Sequence, residues 1–211
     1  MAGRFDIGAT DVLLVVDVQN DFCTNGALAV PRGEEVVPVI NSLARRFSHV
    51  VLTQDWHPRG HLSFASSHAG AQPFQSIALG YGPQVLWPDH CVQGTAGADF
   101  HPGLDVPHAA LIVRKGHTRE IDSYSAFYEN DHATPTGLGS YLRERALRRV
   151  FLAGLAFDFC VRYSAEDARR LGFEAVVIED ACRAIDLDGS ASATHAALAA
   201  LGVVCVSAEK V

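Results

Sequence analysis

Five reactive side chains lie at the ends of apolar segments of the chain. Four of them can carry charge or transfer protons, and the fifth has a nucleophilic sulfur. Asp17 and Asp55 each follow or close such a segment, His57 comes two residues after Asp55, Lys115 closes a third segment, and Cys160 follows a fourth. A thiolate attacks carbonyl carbons, and a nearby carboxylate can take the thiol proton and return it to a leaving amine. Thiol, carboxylate and ammonium together therefore point to acyl transfer from an amide.

Cys160 stands where a thiol is expected to ionise. It opens a predicted helix, and the partial positive charge of a helix N-terminus favours thiolate over thiol. An ammonium at Lys115 would act in the same direction. The sequence therefore predicts that the pKa of Cys160 is lowered, with Asp17 moving its proton.

A second group of residues has the types and spacing of metal ligands. Asp55 and His57 are separated by one residue on an extended segment, and His90 can close a site with them. Two nitrogens and one oxygen suit zinc, iron(II) or manganese, with waters at the remaining positions. His61 is a further candidate ligand.

These residues are placed by alternating strand and helix patterns. Nearly continuous apolar runs predict strands at 12–18, 50–55, 110–116, 150–156, 174–180 and 203–207, and helical periodicity predicts helices at 34–47, 137–147, 160–171 and 190–201. Repeated strand–helix–strand units form parallel sheets with helices on both faces. We therefore expect an α/β fold: a single domain, residues 1–211, with three α/β/α layers around a six-stranded, mainly parallel sheet.

The carboxyl ends of parallel strands meet at one edge of the sheet, where ligands bind. That edge would bring together the carboxylates, the amine and the thiol described above. The segment 56–108 shows no convincing helix or strand, yet it contains several aromatic residues and histidines. Long connections of this kind are often functional, so we predict a packed loop that carries metal ligands.

Composition excludes several classes of protein. The 211 residues carry 24 acidic against 17 basic side chains, a net charge of −7, which argues against nucleic-acid and anionic-membrane surfaces. The longest nearly apolar run, 196–206, is too short to cross a membrane, and no export signal is recognisable at the N-terminus. Five cysteines without a C-x-x-C pair indicate a reduced, cytoplasmic protein.

Five motifs together resemble those of bacterial nicotinamidases, which belong to the isochorismatase-like cysteine hydrolases. They are Asp17-Val-Gln-Asn-Asp-Phe-Cys, Thr53-Gln-Asp-Trp-His-Pro, Trp87-Pro-Asp-His-Cys-Val-Gln-Gly, Lys115-Gly, and Gly154-Leu-Ala-Phe-Asp-Phe-Cys-Val. The resemblance extends from about Val12 to Val206, with the motifs in the same order and spacing.

The resemblance implies roles for individual residues. The catalytic triad would be Asp17, Lys115 and Cys160, and the amides of Ala156 and Cys160 would form the oxyanion hole. A metal would be held by Asp55, His57 and His90, with His61 as a ligand in some relatives. The substrate pocket would be lined by five residues: Phe22, Leu28, Trp87, Tyr124 and Leu155. The resemblance also implies a cis peptide at Leu155–Ala156. Phe157 and Phe159 depart from the family, which often has Thr at the first position and Tyr or His at the second.

The implied activity is hydrolysis of nicotinamide to nicotinate and ammonia through a cysteine thioester, in NAD salvage, with pyrazinamide as a second substrate. The implied cofactor is one divalent metal ion, zinc first, with iron or manganese as alternatives. No nucleic-acid or membrane partner is expected, and the sequence leaves open whether the chain forms a homo-oligomer. Two other interpretations also stay open: another small-amide cysteine hydrolase of the same superfamily, or a non-catalytic ligand-binding α/β protein.

Overall fold

The computed structural model describes residues 4–211, so the first three residues of the predicted domain lie outside the described part. The strands are β1 (Asp11–Val16), β2 (Val50–Asp55), β3 (Ser76–Leu79), β4 (Gly82–Val85), β5 (Leu111–Lys115), β6 (Arg149–Leu155), β7 (Glu174–Arg183) and β8 (Val204–Val206); the α-helices are α1 (Val36–Ala44), α2 (Leu138–Glu144), α3 (Arg162–Arg170) and α4 (Ser190–Ala200). All six predicted strands and all four predicted helices form, with ends displaced by a few residues.

Six strands form one sheet in the order β5-β2-β1-β6-β7-β8, and all its pairs are parallel. β1 and β6 occupy the centre and are buried along nearly their whole length, as expected for strands covered on both faces. The predicted α/β class with a six-stranded parallel sheet is confirmed.

Alternation along the central strands divides the core into two apolar layers. On β1, Leu13 and Val15 face one layer together with Ile40 of α1. Val12 and Leu14 face the opposite layer, which includes buried residues of α2, α3 and α4. A side-chain period of two along each strand thus produces the three-layer α/β/α arrangement.

The segment 56–108 is more structured than its sequence predicts. It contains the hairpin of β3 and β4, which pair antiparallel as a separate two-stranded sheet. These strands have only four residues each, and Pro83 within β4 weakens the sequence signal for a strand. The rest of the segment consists of turns, 3₁₀ helices and isolated bridges such as His57 with Val92.

The turn that carries Cys160 also differs from expectation. Phe157–Val161 forms a π-helical turn, and the α-helix begins at Arg162 rather than at Cys160. The Ala156 carbonyl accepts hydrogen bonds from the amides of Phe159 (3.1 Å) and Val161 (3.1 Å), which closes this wider turn. Turns of this type occur frequently at functional sites.

No helix within residues 4–211 is long and apolar enough to cross a membrane.

Candidate active site

Four neighbouring strands deliver the predicted reactive side chains to one edge of the sheet. β5 ends at Lys115, β2 ends at Asp55, Asp17 follows β1, and Cys160 lies in the turn after β6. Since β5, β2, β1 and β6 are adjacent in the sheet, their carboxyl ends form one continuous surface. The predicted convergence of these residues is therefore observed.

Lys115 is the centre of this cluster and is completely buried. Its Nζ lies 2.8 Å from Asp17 Oδ2, 2.5 Å from Asp55 Oδ1, 2.8 Å from the Ser123 carbonyl oxygen and 3.4 Å from Cys160 Sγ. Burial opposes its charge, but the two carboxylates outweigh this and raise the pKa of Lys115 well above its usual value. The side chain is thus a permanent cation in contact with both acids and the thiol.

Asp17 is held in a fixed orientation beside Lys115. Its backbone has a positive φ of 48°, its amide donates to Thr53 Oγ1 (3.1 Å), and the Thr53 hydroxyl donates to Asp17 Oδ1 (2.6 Å). Burial raises the pKa of Asp17 above its ordinary value, although Lys115 opposes the change. A carboxyl with a raised pKa can accept and release a proton closer to neutral pH.

The expected lowering of the Cys160 pKa is wrong for the resting protein. Burial raises its pKa well above the usual value, and Asp17 and Asp55 add to the increase, while Lys115 only partly opposes it. The sequence brings the cation and both carboxylates to the sheet edge where the sulfur lies, but it does not show that Cys160 is buried or that Asp17 and Asp55 lie within 4.8 Å of it. Cys160 rests as a neutral thiol that needs a proton acceptor.

Asp55, His57 and His90 form a second buried cluster whose ligand atoms lie within 4.8 Å of one another. His57 Nδ1 donates to the Gly116 carbonyl (2.9 Å) and His90 Nδ1 to the Pro88 carbonyl (2.8 Å), so each Nε2 presents a lone pair. These Nε2 atoms lie 3.5 and 3.8 Å from Asp55 Oδ2.

An orphaned atom shows that this donor set fits a metal ion. His57 Nε2 is buried and has no hydrogen-bond partner among the described residues, and a buried polar atom left in this way is costly unless something binds it. Asp55 contacts Lys115 through one oxygen and faces the imidazoles with the other. The three residues are suited to a divalent cation, as two nitrogens and one oxygen.

Gly116 keeps this cluster compact. Its φ is +62°, and a Cβ there would lie 2.4 Å from Cε1 of His57. Only glycine therefore lets the backbone carbonyl approach His57 closely enough to fix the ring.

His61 lies next to His57, with ring centroids 4.5 Å apart, but its nitrogens are engaged elsewhere. Nε2 donates to the Thr118 carbonyl (2.9 Å), and Nδ1 accepts from the Ser63 amide (3.1 Å). Its ligand atom groups with His57 and Asp122 rather than with Asp55 and His90. A fourth-ligand role for His61 stays a prediction that would require its ring to reorient.

A narrow pocket of about 310 Å³, including its open mouth, joins the two clusters. Of the predicted substrate-binding residues, four line it: Phe22, Leu28, Trp87 and Tyr124. Leu155 does not, because its side chain is completely buried in the core layer that contains α1. The peptide between Leu155 and Ala156 is cis, as the resemblance implies, and Ala156 itself lines the pocket.

Three further residues line the pocket that the sequence did not identify as substrate-binding: Asp122, Phe159 and Ile185. The Phe159 ring meets Trp87 edge-on (4.9 Å between centroids) and also meets Tyr124 (5.5 Å), so the three rings form an aromatic wall of the pocket. Asp122 accepts from Gln84 Nε2 (2.7 Å). It follows no strand or helix, so no periodic signal could have indicated it.

Ile185 reaches the pocket because Asp158 fixes the loop after β7. Asp158 accepts hydrogen bonds from the backbone amides of Ile185 (3.0 Å) and Asp186 (2.7 Å). The loop that follows the fifth strand of the sheet is thereby tied to the turn that carries Cys160.

Comparison with known proteins agrees with this geometry. The isochorismatase domain profile matches residues 11–210, so the chain belongs to the isochorismatase domain family. It is 53% identical over 199 residues to a nicotinamidase of Acinetobacter baylyi, covering 94% of this chain and 93% of the relative.

Solved structures extend the likeness to the fold. A nicotinamidase/pyrazinamidase of Acinetobacter baumanii superposes with a TM-score of 0.95 at 52% identity, covering 96% of this chain and 98% of that one. A pyrazinamidase of Pyrococcus horikoshii in complex with zinc superposes with a TM-score of 0.77 at 33% identity, covering 94% and 99%.

Proposed function

We propose that this protein is a nicotinamidase, which hydrolyses nicotinamide to nicotinate and ammonia and also accepts pyrazinamide. The observation that carries the proposal is the Asp17–Lys115–Cys160 cluster at the base of an aromatic pocket. The 53% identity to a nicotinamidase over nearly the whole chain supports the choice of substrate. This activity recovers the pyridine ring for NAD salvage.

The first half of the reaction forms a thioester. Asp17 takes the proton of the Cys160 thiol, and the sulfur attacks the carboxamide carbon to give a tetrahedral intermediate. The amides of Ala156 and Cys160 would hold its oxyanion. Asp17 then returns the proton to the amide nitrogen, the C–N bond breaks, and ammonia leaves.

The second half regenerates the thiol. Asp17 accepts a proton from a water molecule, and the resulting hydroxide attacks the thioester carbonyl. The C–S bond breaks, Asp17 gives its proton to the sulfur, and nicotinic acid leaves and loses its carboxyl proton to solvent as nicotinate. Each proton that Asp17 accepts is therefore returned within the cycle.

Lys115 provides a fixed positive charge throughout this cycle. Because its pKa is raised, it does not itself move protons at neutral pH. At 3.4 Å from Cys160 Sγ it stabilises the thiolate as the sulfur loses its proton. It also holds Asp17 and Asp55 at fixed positions.

We propose zinc as the metal of the second cluster, with Asp55, His57 and His90 as its ligands. The zinc-bound pyrazinamidase relative supports this choice, as do two imidazole nitrogens paired with a carboxylate. A divalent cation supplies a Lewis acid and a fixed positive charge at the pocket wall. His90 and Asp55 both line that wall, so the ligands belong to the substrate site.

The protein is further proposed to act in the cytoplasm as one catalytic domain. Five free cysteines fit a reducing compartment.

Ammonia release from nicotinamide by the zinc-loaded protein tests the proposal directly. We expect turnover with nicotinamide and pyrazinamide, and none with Cys160→Ala, while Cys182→Ala, at a buried cysteine that does not line the pocket, keeps its activity. Hydrolysis of other small amides but not nicotinamide would favour a different amidase of the superfamily. No ammonia from any amide would favour a ligand-binding protein.

A further inference from the structure

We propose that Glu179, His195 and Cys205 form a second metal site, for a borderline or thiophilic divalent cation of the zinc class. The carboxylate oxygen, imidazole nitrogen and thiol sulfur lie within 4.8 Å of one another. None of the three lines the substrate pocket. The site would therefore be separate from the cluster of Asp55, His57 and His90.

The fold brings these residues together at the β8 edge of the sheet. Cys205 of β8 pairs with Val177 of β7, and Glu179 lies two residues beyond Val177 on the same strand. Strand alternation therefore directs Glu179 and Cys205 to one face. Helix α4, which carries His195, covers that face through its buried Leu198.

The distance between two of the candidate ligands matches metal coordination. His195 Nδ1 lies 3.4 Å from Glu179 Oε1. Two atoms bound to one tetrahedral zinc at about 2.0–2.2 Å are separated by about 3.3–3.6 Å. A simple ion pair between His195 and Glu179 would also fit this distance. The position of Cys205 favours the metal site, because a thiol does not stabilise that ion pair but is a preferred zinc ligand.

The side-chain environment favours metal binding over a purely structural role. Glu179 and His195 are exposed, so the open coordination position can be filled by water. The His195 ring packs on Phe157, with centroids 4.9 Å apart, which limits its orientation. Sulfur, imidazole and one carboxylate suit zinc and its analogues cobalt and cadmium, not magnesium or calcium.

Burial, together with the charge of Glu179, raises the pKa of Cys205 to about 11. A metal must displace this thiol proton, so each bound ion releases a proton. Glu179 and His195 face the sulfur from β7 and α4.

The test is the zinc content of the protein after equilibrium dialysis, followed by cobalt titration monitored for a cobalt–thiolate charge-transfer band. We expect two zinc ions per chain in the parent protein and one in each of the variants Cys205→Ser and His195→Ala. In these variants the affinity of the second site for zinc should fall at least about 10-fold relative to the parent. Cys23→Ser is a matched control, because Cys23 is another free cysteine with a pKa raised to about 11 but joins no candidate ligand group among the described residues.

Several outcomes would overturn this proposal. One zinc per chain in the parent would mean that the residues form only an ion pair. Two zinc ions in Cys205→Ser, or an unchanged cobalt–thiolate band, would assign the second ion to another thiol. His195→Ala keeps the test valid if Cys205→Ser fails to fold, since His195 is exposed. Nicotinamide hydrolysis is not the readout, so failure here would leave the proposed function unaffected.

Discussion

Replacing Lys115 with methionine should destabilise the fold strongly, because the lysine neutralises two buried acids. Its Nζ lies 2.8 Å from Asp17 Oδ2 and 2.5 Å from Asp55 Oδ1. The methionine side chain would preserve most of the aliphatic packing while leaving both carboxylates without their cation. Removing one partner of a buried ion pair typically costs about 3–5 kcal/mol, and here two acids lose the same partner.

That loss corresponds to a large decrease in melting temperature. For a domain of this size, 1 kcal/mol shifts the midpoint by about 2–4 °C, so Lys115→Met should melt roughly 6–20 °C below the parent. Thermal unfolding would be followed in protein saturated with the same metal. The only other lysine, Lys210, is exposed, so Lys210→Met is a matched control expected to change stability by less than about 0.5 kcal/mol.

Two further measurements check the ion-pair explanation. The double variant Asp17→Asn with Lys115→Met should recover part of the lost stability, because one of the stranded charges is gone. The difference in melting temperature between Lys115→Met and the parent should decrease as the pH falls, because Asp17 and Asp55 become protonated in the folded variant. Equal melting of Lys115→Met and Lys210→Met would refute the reasoning, as would a double variant less stable than Lys115→Met.

Three other variants or substrates test individual groups. Asp17→Asn should abolish nicotinamide turnover yet lower the pKa of Cys160, because the Asp17 charge raises it; a pH profile of Cys160 alkylation that shifts upward would contradict this. Glu129 is buried, and its pKa is raised from 4.5 to about 7. The folded state therefore holds this proton more tightly than the unfolded state, and the free energy of unfolding falls by up to about 3 kcal/mol as the pH rises from 4.5 through 7. Glu129→Gln should flatten that dependence in urea unfolding between pH 5 and 8, and an unchanged slope would assign it to other groups. Benzamide, which lacks the ring nitrogen, should have a kcat/KM at least about 100-fold below that of nicotinamide; equal values would exclude recognition of that nitrogen.

The sheet was predictable because its strands are continuous apolar runs. β1 and β6 need no polar face, and their sequences show none. The rule that ligands bind at the carboxyl ends of parallel strands then placed Asp17, Lys115 and Cys160 together. Neither inference required knowledge of side-chain contacts.

Features that depend on long-range packing could not be predicted in this way. Asp122 enters the pocket from a segment without periodicity, 38 residues from its hydrogen-bond partner Gln84. His61 has the right residue type and position for a ligand, but the surrounding carbonyls determine where its nitrogens point. The pKa of Cys160 depends on burial and on charges from three other strands, none of which is adjacent in sequence.

The raised pKa of Cys160 is compatible with its proposed role as a nucleophile because Asp17 has a raised pKa as well. Ionising the thiol by releasing its proton to water would add a negative charge to a buried cluster. Moving the proton from sulfur to Asp17 adds none: a thiol and a carboxylate become a thiolate and a carboxylic acid beside the same Lys115 cation. Burial penalises net charge but not this exchange. The same burial that keeps the resting cysteine protonated therefore allows its activation within the cluster, where Asp17 retains the proton for the departing ammonia.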